Sequence, residues 1–585
     1  MTVLLTTLNS KYIHTNLAIR YLRSYVKDLN KVSIKEFTIN QNIDNIRAEI
    51  YKDKPHLVGF STYIWNIEET LQICQGLKLV SPGTKILLGG PEVSYDPVEI
   101  MEEHPYIDYI IYGEGEQTFR ELLTNQPLDS INGLVYRSND KIYKNKDREL
   151  IEDLSIIPFP YEDDYKGDFK NKIIYYESSR GCPFNCEFCL SSTIKGLRFL
   201  PIERVKEEID YLISLGVSQI KFVDRTFNAK KDFSMEIMKH IISRDPKNVN
   251  FHFEVTAHLI DDKQLEFLEN VKEGLFQFEI GVQSTNMNTI EAIGRTTDFQ
   301  ILKKVSKKIK SYSNIHQHLD LIVGLPYEDY SSFETSFNDI YSIRPEKIQI
   351  GFLKLLKGSG LRILKDKYGY KFLDRATYEI LENNYISYGE IVKLKGIEEI
   401  VEKFYNEEYF KNILEYCIKN YYLSPFRFFE ELAQYFDENG LHDISHSRSK
   451  LYSILLEFLT SMSIYDIDTI KNLLRYDYII NNTDRRIPVD LRSDNSIEQN
   501  TIHKLLKEKD ILEKLPKDHR ELPTKQMIKM VTISYFDIDV LDLINSGYNK
   551  KAEKGEKYIL FYHKEGTIIR STAHDVTTKY KEMIN

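Results

Sequence analysis

Between residues 173 and 365 the chain repeats one unit six times, a short apolar strand followed by an amphipathic helix. Strands are expected at 173–178, 219–223, 251–256, 275–282, 318–323 and 347–353. Parallel strands need long crossovers, and right-handed crossovers place every helix on the same side of the sheet. Six such units suggest a curved, incomplete (β/α)6 barrel, whose site forms at the carboxyl ends of the strands.

The first of these strands runs into Cys182-Pro-Phe-Asn-Cys186-Glu-Phe-Cys189, which gathers three of the five cysteines of a 585-residue chain. Thiolates are soft ligands that select zinc, copper(I) or iron–sulfur clusters. A structural zinc site wants four ligands, usually as two spaced pairs. No second pair exists, and Cys74 and Cys417 are remote in sequence. A cubane cluster normally takes four cysteines, so one held here would keep an iron without a protein ligand.

Cys-x3-Cys-x-aromatic-Cys, with Phe188 in the aromatic place, resembles the signature of the radical S-adenosylmethionine enzymes. The resemblance implies that Cys182, Cys186 and Cys189 hold a 4Fe–4S cluster whose fourth iron is chelated by the methionine end of S-adenosylmethionine. One electron then releases a 5′-deoxyadenosyl radical. It further implies roles for polar residues at the strand ends. Gln283 and Ser284, in Gly281-Val-Gln-Ser, look like the stretch that touches the cofactor's ribose. Arg295, in Ile-Gly-Arg, resembles a residue that meets its carboxylate, for which a guanidinium fork is suited. Gly324, opening Gly-Leu-Pro-Tyr-Glu328, is similar to the motif near the adenine, and Glu254 is a further polar cofactor contact. Glu254, Thr256 and His258 follow one another with period two and are expected on one strand face.

Residues 1–130 alternate strands and helices in the manner of a doubly wound parallel sheet, which binds ligands at the carboxyl ends of its strands. No Gly-x-Gly-x-x-Gly follows the first strand, so a dinucleotide fold is not supported. The turns at Ser61, Gly89-Gly90 and Gly113-Glu-Gly-Glu116 resemble those of the cobalamin-binding domain fused to one class of radical S-adenosylmethionine enzymes, with Tyr63 in place of a leucine. The Asp-x-His-x-x-Gly of that domain is missing. His14 stands in Tyr-Ile-His-Thr-Asn and is read as a helix-start or packing residue, so the implied cobalamin has no histidine below its cobalt.

Residues 131–172 read as a connector, with a hairpin turning at Asn139-Asp140, a stiff Ile-Pro-Phe-Pro-Tyr crossing at 157–161 and an exposed charged stretch at 163–172. Residues 366–585 carry helical patterns, clearest at 397–422 and 451–462, with strand-like pieces at 526–535 and 557–562. They resemble an uncharacterised, mainly α-helical C-terminal domain found on a subgroup of the cobalamin-type enzymes.

A net charge of −10 gives no indication of nucleic acid as a partner. Sparse cysteines, no signal-peptide pattern and no apolar run of membrane-spanning length lead to the expectation of a cytoplasmic protein without a membrane partner. The resemblance implies methyl transfer to an unactivated carbon of an unknown substrate, with an electron donor such as flavodoxin or ferredoxin. A cobalamin-assisted rearrangement is open beside methyl transfer, and two alternatives of another kind stay open. One is a methylthiotransferase-like tRNA or protein modification enzyme, whose pattern has a second cluster on three N-terminal cysteines where this chain has only Cys74. The other is a non-catalytic corrinoid or metal carrier.

Overall fold

A computed structural model describes residues 2–29, 32–162, 169–194, 196–462, 466–482, 487–493, 497, 499–549, 552–563 and 571–584. The chain divides into two compact units: Met1–Pro345 with Gln349–Ile391, and Glu346–Ile348 with Val392–Asn585.

The first unit opens with strands β1 (Val3–Asn9), β2 (Val32–Thr38), β3 (Leu57–Ser61), β4 (Lys85–Gly89) and β5 (Tyr109–Ile111). They alternate with helices α1 (Leu17–Tyr25), α2 (Ile43–Lys52), α3 (Ile67–Val80), α4 (Pro91–Ser94), α5 (Pro97–Glu103) and α6 (Glu116–Leu123). The sheet order is β2-β1-β3-β4-β5, all parallel. All seven residues of β1 are buried, as befits a central strand covered on both faces. Leu4, Leu8, Val58, Phe60 and Leu88 meet Ile46, Ile73 and Leu77 on one face, while Val3, Leu5, Leu57 and Leu87 meet Ile19, Phe119 and Leu122 on the other. Strands β6 (Leu134–Ser138) and β7 (Lys141–Lys144) extend the same sheet antiparallel beyond β5. Their turn has φ of 49° at Asn139 and 59° at Asp140, the left-handed pair a two-residue hairpin needs.

The crossing at 157–161 leads to the second sheet. Of the expected charged stretch, residues 163–168 lie outside the described residues, and Phe169 is buried, edge-on to Tyr161 at 5.6 Å. The second sheet contains β8 (Ile173–Tyr176), β11 (Gln219–Phe222), β12 (Asn250–Glu254), β13 (Phe276–Gln283), β14 (His316–Val323) and β15 (Lys347–Phe352), in the order β15-β14-β13-β12-β11-β8. Between β8 and β11 a small pair forms, β9 (Ser179–Gly181) with β10 (Leu197–Phe199). Helices α7 (Ile202–Ser214), α8 (Lys231–Ser243), α9 (Asp262–Glu269), α10 (Met287–Ala292), α11 (Phe299–Tyr312) and α12 (Tyr330–Tyr341) follow the strands. Phe222, Phe251, Phe253, Phe276 and Phe278 are fully buried on one face, whereas Lys221, His252, Glu254, Gln277 and Glu279 alternate with them on the other. One face is thus packed and the other polar, the pattern of an open barrel with a functional interior.

Two strand readings need correction. Strand β12 ends at Glu254, so Thr256 and His258 do not continue its face. The Asn228 side chain takes over the pairing, accepting from the Thr256 N–H (2.9 Å) and donating to its carbonyl (3.0 Å), and Ala257–Leu259 then forms one 3-10 turn. The strand-like stretch at 526–535 begins as helix Thr524–Met530, started by Pro523, and becomes strand only at Val531.

The second unit begins within helix Tyr388–Ile400 and holds helices Lys411–Tyr421, Pro425–Glu438, Arg448–Ser461 and Ile467–Asn481, followed by an antiparallel sheet of Val531–Ile538, Lys554–Tyr562 and Thr572–Asp575. The helix expected over 397–422 is broken. A π-turn at Val401–Asn406 and a left-handed Glu408 (φ 58°) interrupt it. Buried Asp477 accepts from the Ile413 N–H at 2.9 Å, satisfying a donor at the start of helix Lys411–Tyr421. Cys417 is fully buried. Among the described residues, no helix is long and apolar enough to cross a membrane.

Candidate active site

The cysteine loop leaves β9 and returns on β10, so a two-strand ladder closes its base. Gly181, with φ of 105°, pairs with Leu197, and a Cβ there would collide with the Gly196 carbonyl. Below this base sits Asp224, at the end of β11. Its buried carboxylate accepts from the Ser178 N–H (3.0 Å), the Ser178 hydroxyl (2.6 Å) and the Ser179 hydroxyl (2.5 Å). Burial pushes its pKa up to about 6, against the pull of these three donors.

The tip of the loop is held from two sides. The Glu187 N–H donates to the Ile293 carbonyl (3.0 Å), and the Glu187 carbonyl accepts from the Leu361 N–H (2.8 Å). Gly294, at φ 67°, lets the turn after α10 press against the Asn185 carbonyl. All five cysteines are free thiols. Cys186 is buried, and Cys182 and Cys189 are partly exposed. Burial raises the Cys186 thiol, nearby Arg295 opposes this, and charge on Cys189 or Cys182 raises it again, so the three sulfurs lie within electrostatic reach of one another. Each has a polar neighbour: the Thr226 hydroxyl 3.7 Å from Cys182 Sγ, Arg295 Nη1 3.9 Å from Cys186 Sγ and the Ser191 N–H 3.4 Å from Cys189 Sγ. Among the described residues, no three His, Cys, Asp or Glu side chains converge as they would on a single metal ion. A cubane needs its corner ligands further apart than one ion does. Three thiols, each with a polar neighbour, are the soft donor set that an iron–sulfur cluster takes.

Arg295 also donates from Nη2 to the Gly281 carbonyl (2.8 Å) and from Nε to Thr297 Oγ1 (3.2 Å), which ties β13 to the loop. Gln283 ends β13 in a left-handed conformation (φ 71°), and its Oε1 is buried without a hydrogen-bond partner. Such an orphan acceptor suits a hydroxyl-bearing ligand. Ser284, in contrast, is already engaged. It donates to Glu328 Oε1 (2.6 Å) and accepts from the Asn286 N–H (3.0 Å). Glu328 also accepts from the Ser336 hydroxyl (2.9 Å), and burial pushes its pKa up to about 7. Gly324 is buried beneath Ile380, and its carbonyl accepts from the Tyr370 hydroxyl (3.0 Å) and Asn383 Nδ2 (2.9 Å). The structure thus brings Arg295 to the cysteine loop, leaves Gln283 with an orphan acceptor at the end of β13, and engages Ser284 with Glu328 and Gly324 with Tyr370 and Asn383.

Inside the barrel, Glu254 and Glu279 are register partners on β12 and β13. Glu279 is paired with Lys221 (2.9 Å) and His252 (2.8 Å). Burial alone would raise it, but these partners hold it down at about 2. Burial raises Glu254, with Arg225 as the opposing charge. His258, on its 3-10 turn, meets Phe184 of the cysteine loop edge-on at 6.2 Å.

On the first sheet, Ser61 and Gly89 end neighbouring strands in register. Gly90 (φ 116°) lets the Thr62 backbone approach, and Thr62 donates to the Gly89 carbonyl from both N–H (2.7 Å) and hydroxyl (2.9 Å). Tyr63 stacks on Trp65, with ring centroids 4.4 Å apart. A cradle of crowded backbone beside aromatic faces fits a flat, largely apolar ligand. His14 is bonded through Nδ1 to the Tyr175 hydroxyl (2.7 Å) in a bridge to β8, as expected of a packing residue. Glu114 and Glu116 pair with Arg180 and Arg198 at the base of the cysteine loop. Burial would raise Glu114, but the two guanidiniums hold it below the usual carboxylate range. The reading from sequence placed Asp224 among the polar residues at the strand ends but missed these arginines. The available signal was a basic residue directly before Gly181-Cys182.

A three-thiol loop at the mouth of an open parallel barrel, against a doubly wound sheet, is the architecture of a radical S-adenosylmethionine domain joined to a ligand-binding domain. The matched families agree: B12 binding domain over residues 3–123, Radical SAM superfamily over 176–340, and a protein family of unknown function, DUF4080, over 366–561. The chain thus carries a B12 binding domain, a radical S-adenosylmethionine domain and this C-terminal domain, in that order. These domains imply a 4Fe–4S cluster, S-adenosylmethionine and cobalamin as cofactors, and a source of electrons.

The chain is similar to the 2-(S-pantetheinyl)-carbapenam-3-carboxylate methyltransferase of Streptantibioticus cattleyicolor, with 25% identity over 65% of this chain and 61% of that protein. It is 28% identical to an uncharacterized methyltransferase of Pyrococcus horikoshii, over 55% of this chain and 72% of the other. The chain thus spans less than two thirds of the carbapenam enzyme's length. Among solved structures, the cobalamin-dependent radical enzyme OxsB with aqua-cobalamin bound shares the fold, with a TM-score of 0.58, 15% identity and 79% of each chain covered. The methyltransferase TsrM from Kitasatospora setae aligns with a TM-score of 0.54 and 16% identity, over 63% of this chain and 78% of that one.

Proposed function

We propose that the protein is a cobalamin-dependent radical S-adenosylmethionine methyltransferase acting on an unactivated carbon. The observation that carries this reading is the three-thiol loop, with a hydrogen-bond donor or partner on each sulfur, seated between the barrel mouth and the B12-binding domain. When bound, the cluster and S-adenosylmethionine supply a carbon radical, and cobalamin supplies a methyl group. The chain's own residues orient and enclose. Cys182, Cys186 and Cys189 are the cluster ligands. Arg295 lies where a cofactor carboxylate can meet its fork, Gln283 offers an unpaired acceptor to the ribose, and Glu254 a carboxylate to a nitrogen or hydroxyl. Ser61, Gly89 and Gly90 shape the corrinoid cradle. Ser284 and Gly324 stiffen the cofactor floor. The substrate is admitted to the polar barrel interior, and a flavodoxin or ferredoxin serves as reductant. Beyond the three cluster ligands, the free and buried Cys74 and Cys417 fit a reducing, cytoplasmic setting.

The test is anaerobic reconstitution followed by iron and sulfide counts, a corrinoid absorbance spectrum and a deoxyadenosine assay with dithionite. About four irons per chain, bound corrinoid and deoxyadenosine are expected. A corrinoid or metal carrier would give no deoxyadenosine, and zinc in the loop would end the reading.

A further inference from the structure

Arg180 and Arg198 stand at the two roots of the cysteine loop, one residue before Gly181 and one after Leu197, and face each other in the β9–β10 register. Both reach the same carboxylate of the first domain. Arg198 grips Glu114 with Nη2 on Oε1 (2.8 Å) and Nη1 on Oε2 (3.1 Å), and Arg180 Nη1 lies 3.3 Å from Oε1. The Ile151 N–H adds a fourth donor to Glu114 Oε2 (2.7 Å), and the Ile151 carbonyl accepts from Arg198 (2.6 Å). Arg180 also bonds Glu116 (2.9 Å) and Glu177 (2.9 Å). Glu114 and Arg198 side chains are each only 8% exposed. Gly113-Glu-Gly-Glu116 follows β5, at the ligand-binding edge of the first sheet. A buried, multiply bonded charge network fixes one relative geometry, because any shift leaves an uncompensated charge.

We propose that Glu114 is a positioning residue, which sets the cysteine loop against the corrinoid-binding edge by holding both of its roots. This deepens the function proposed above and rests on it for the identity of the two cofactors. The loop's rigidity, however, is a property of the chain alone. The Glu114→Gln variant keeps the shape and removes the charge. Arg198→Lys keeps the charge and removes the two-pronged grip.

The test compares wild type, Glu114→Gln and Arg198→Lys. Amide hydrogen exchange on protein without cofactors is expected to rise about tenfold across 179–199 in both variants, with β1 and β3 unchanged. After reconstitution, iron and corrinoid contents are expected to match wild type. The change that S-adenosylmethionine produces in the electron paramagnetic resonance spectrum of the reduced cluster is expected to need about tenfold more cofactor, about 1.4 kcal/mol of lost binding. Wild-type exchange in 179–199 in both variants would overturn the proposal. So would a rise spread equally over β1 and β3, which marks general unfolding. If wild type binds no cluster, the function reading fails while the exchange result still decides the role of Glu114.

Discussion

The Ser284–Glu328–Ser336 cluster makes a quantitative prediction. Glu328 is buried, 1% exposed, with its pKa pushed up from an ordinary 4.5 to about 7. At low pH the group is protonated in folded and unfolded chains alike and contributes no pH dependence. As pH rises past about 4.5 the unfolded chain releases this proton while the folded chain keeps it, so stability falls until the folded group also ionises near 7. A shift of about 2.5 units corresponds to about 3.4 kcal/mol, of which about 2.5 kcal/mol develops between pH 5 and pH 8.5. Glu328→Gln removes the titration, and its carbonyl still accepts from Ser284 and Ser336. The variant should therefore gain on wild type by about 2.5 kcal/mol between those two pH values, a change in relative melting temperature of about 5 °C or less for a unit this large. Anaerobic calorimetry of both proteins across that range measures it. A difference in melting temperature that stays constant with pH would refute the reasoning, because it would mean that Glu328 titrates alike in both states.

Three further outcomes follow from named contacts. Gly181→Ala should lower the iron retained after reconstitution several-fold, since φ of 105° and the Gly196 carbonyl both oppose a Cβ; the left-handed strain alone is about 1–2 kcal/mol, and iron analysis reads the result. Gly90→Ala should impair corrinoid uptake while leaving iron content intact, because its Cβ would strike the Thr62 backbone; the corrinoid absorbance band checks it. In the second unit, Asp477→Ala should cost about 1–3 kcal/mol by orphaning the Ile413 N–H, seen as a lower unfolding midpoint of that unit.

Periodicity made both parallel sheets readable from the sequence. Each of the six barrel strands overlaps the segment expected of it, and the Asn139-Asp140 turn has the dihedrals its residues favour. What escaped was set by side chains acting in place of backbone. Asn228 ended β12 by imitating a neighbouring strand, which no pattern around Glu254 could reveal. The break at Glu408 sits inside an amphipathic run that reads as continuous. The cysteines announced themselves by spacing, whereas Arg180 and Arg198 matter through partners 64 to 84 residues away, and the basic residue before Gly181 was too slight a signal to name them. Ser284 was legible as part of a motif, but its engagement by Glu328 was not.

The bridge between His14 and Ile173 has a practical consequence. The Ile173 N–H donates to the Ile13 carbonyl at 2.7 Å, and Thr15 returns a bond to the Ile173 carbonyl. The opening segment after β1 thereby covers the free flank of β8, at the end of the barrel sheet. A fragment starting near residue 170 would bare that flank as a template for self-association. Dissecting this enzyme by truncation should give an aggregating barrel, so its parts are better separated by point changes within the intact chain.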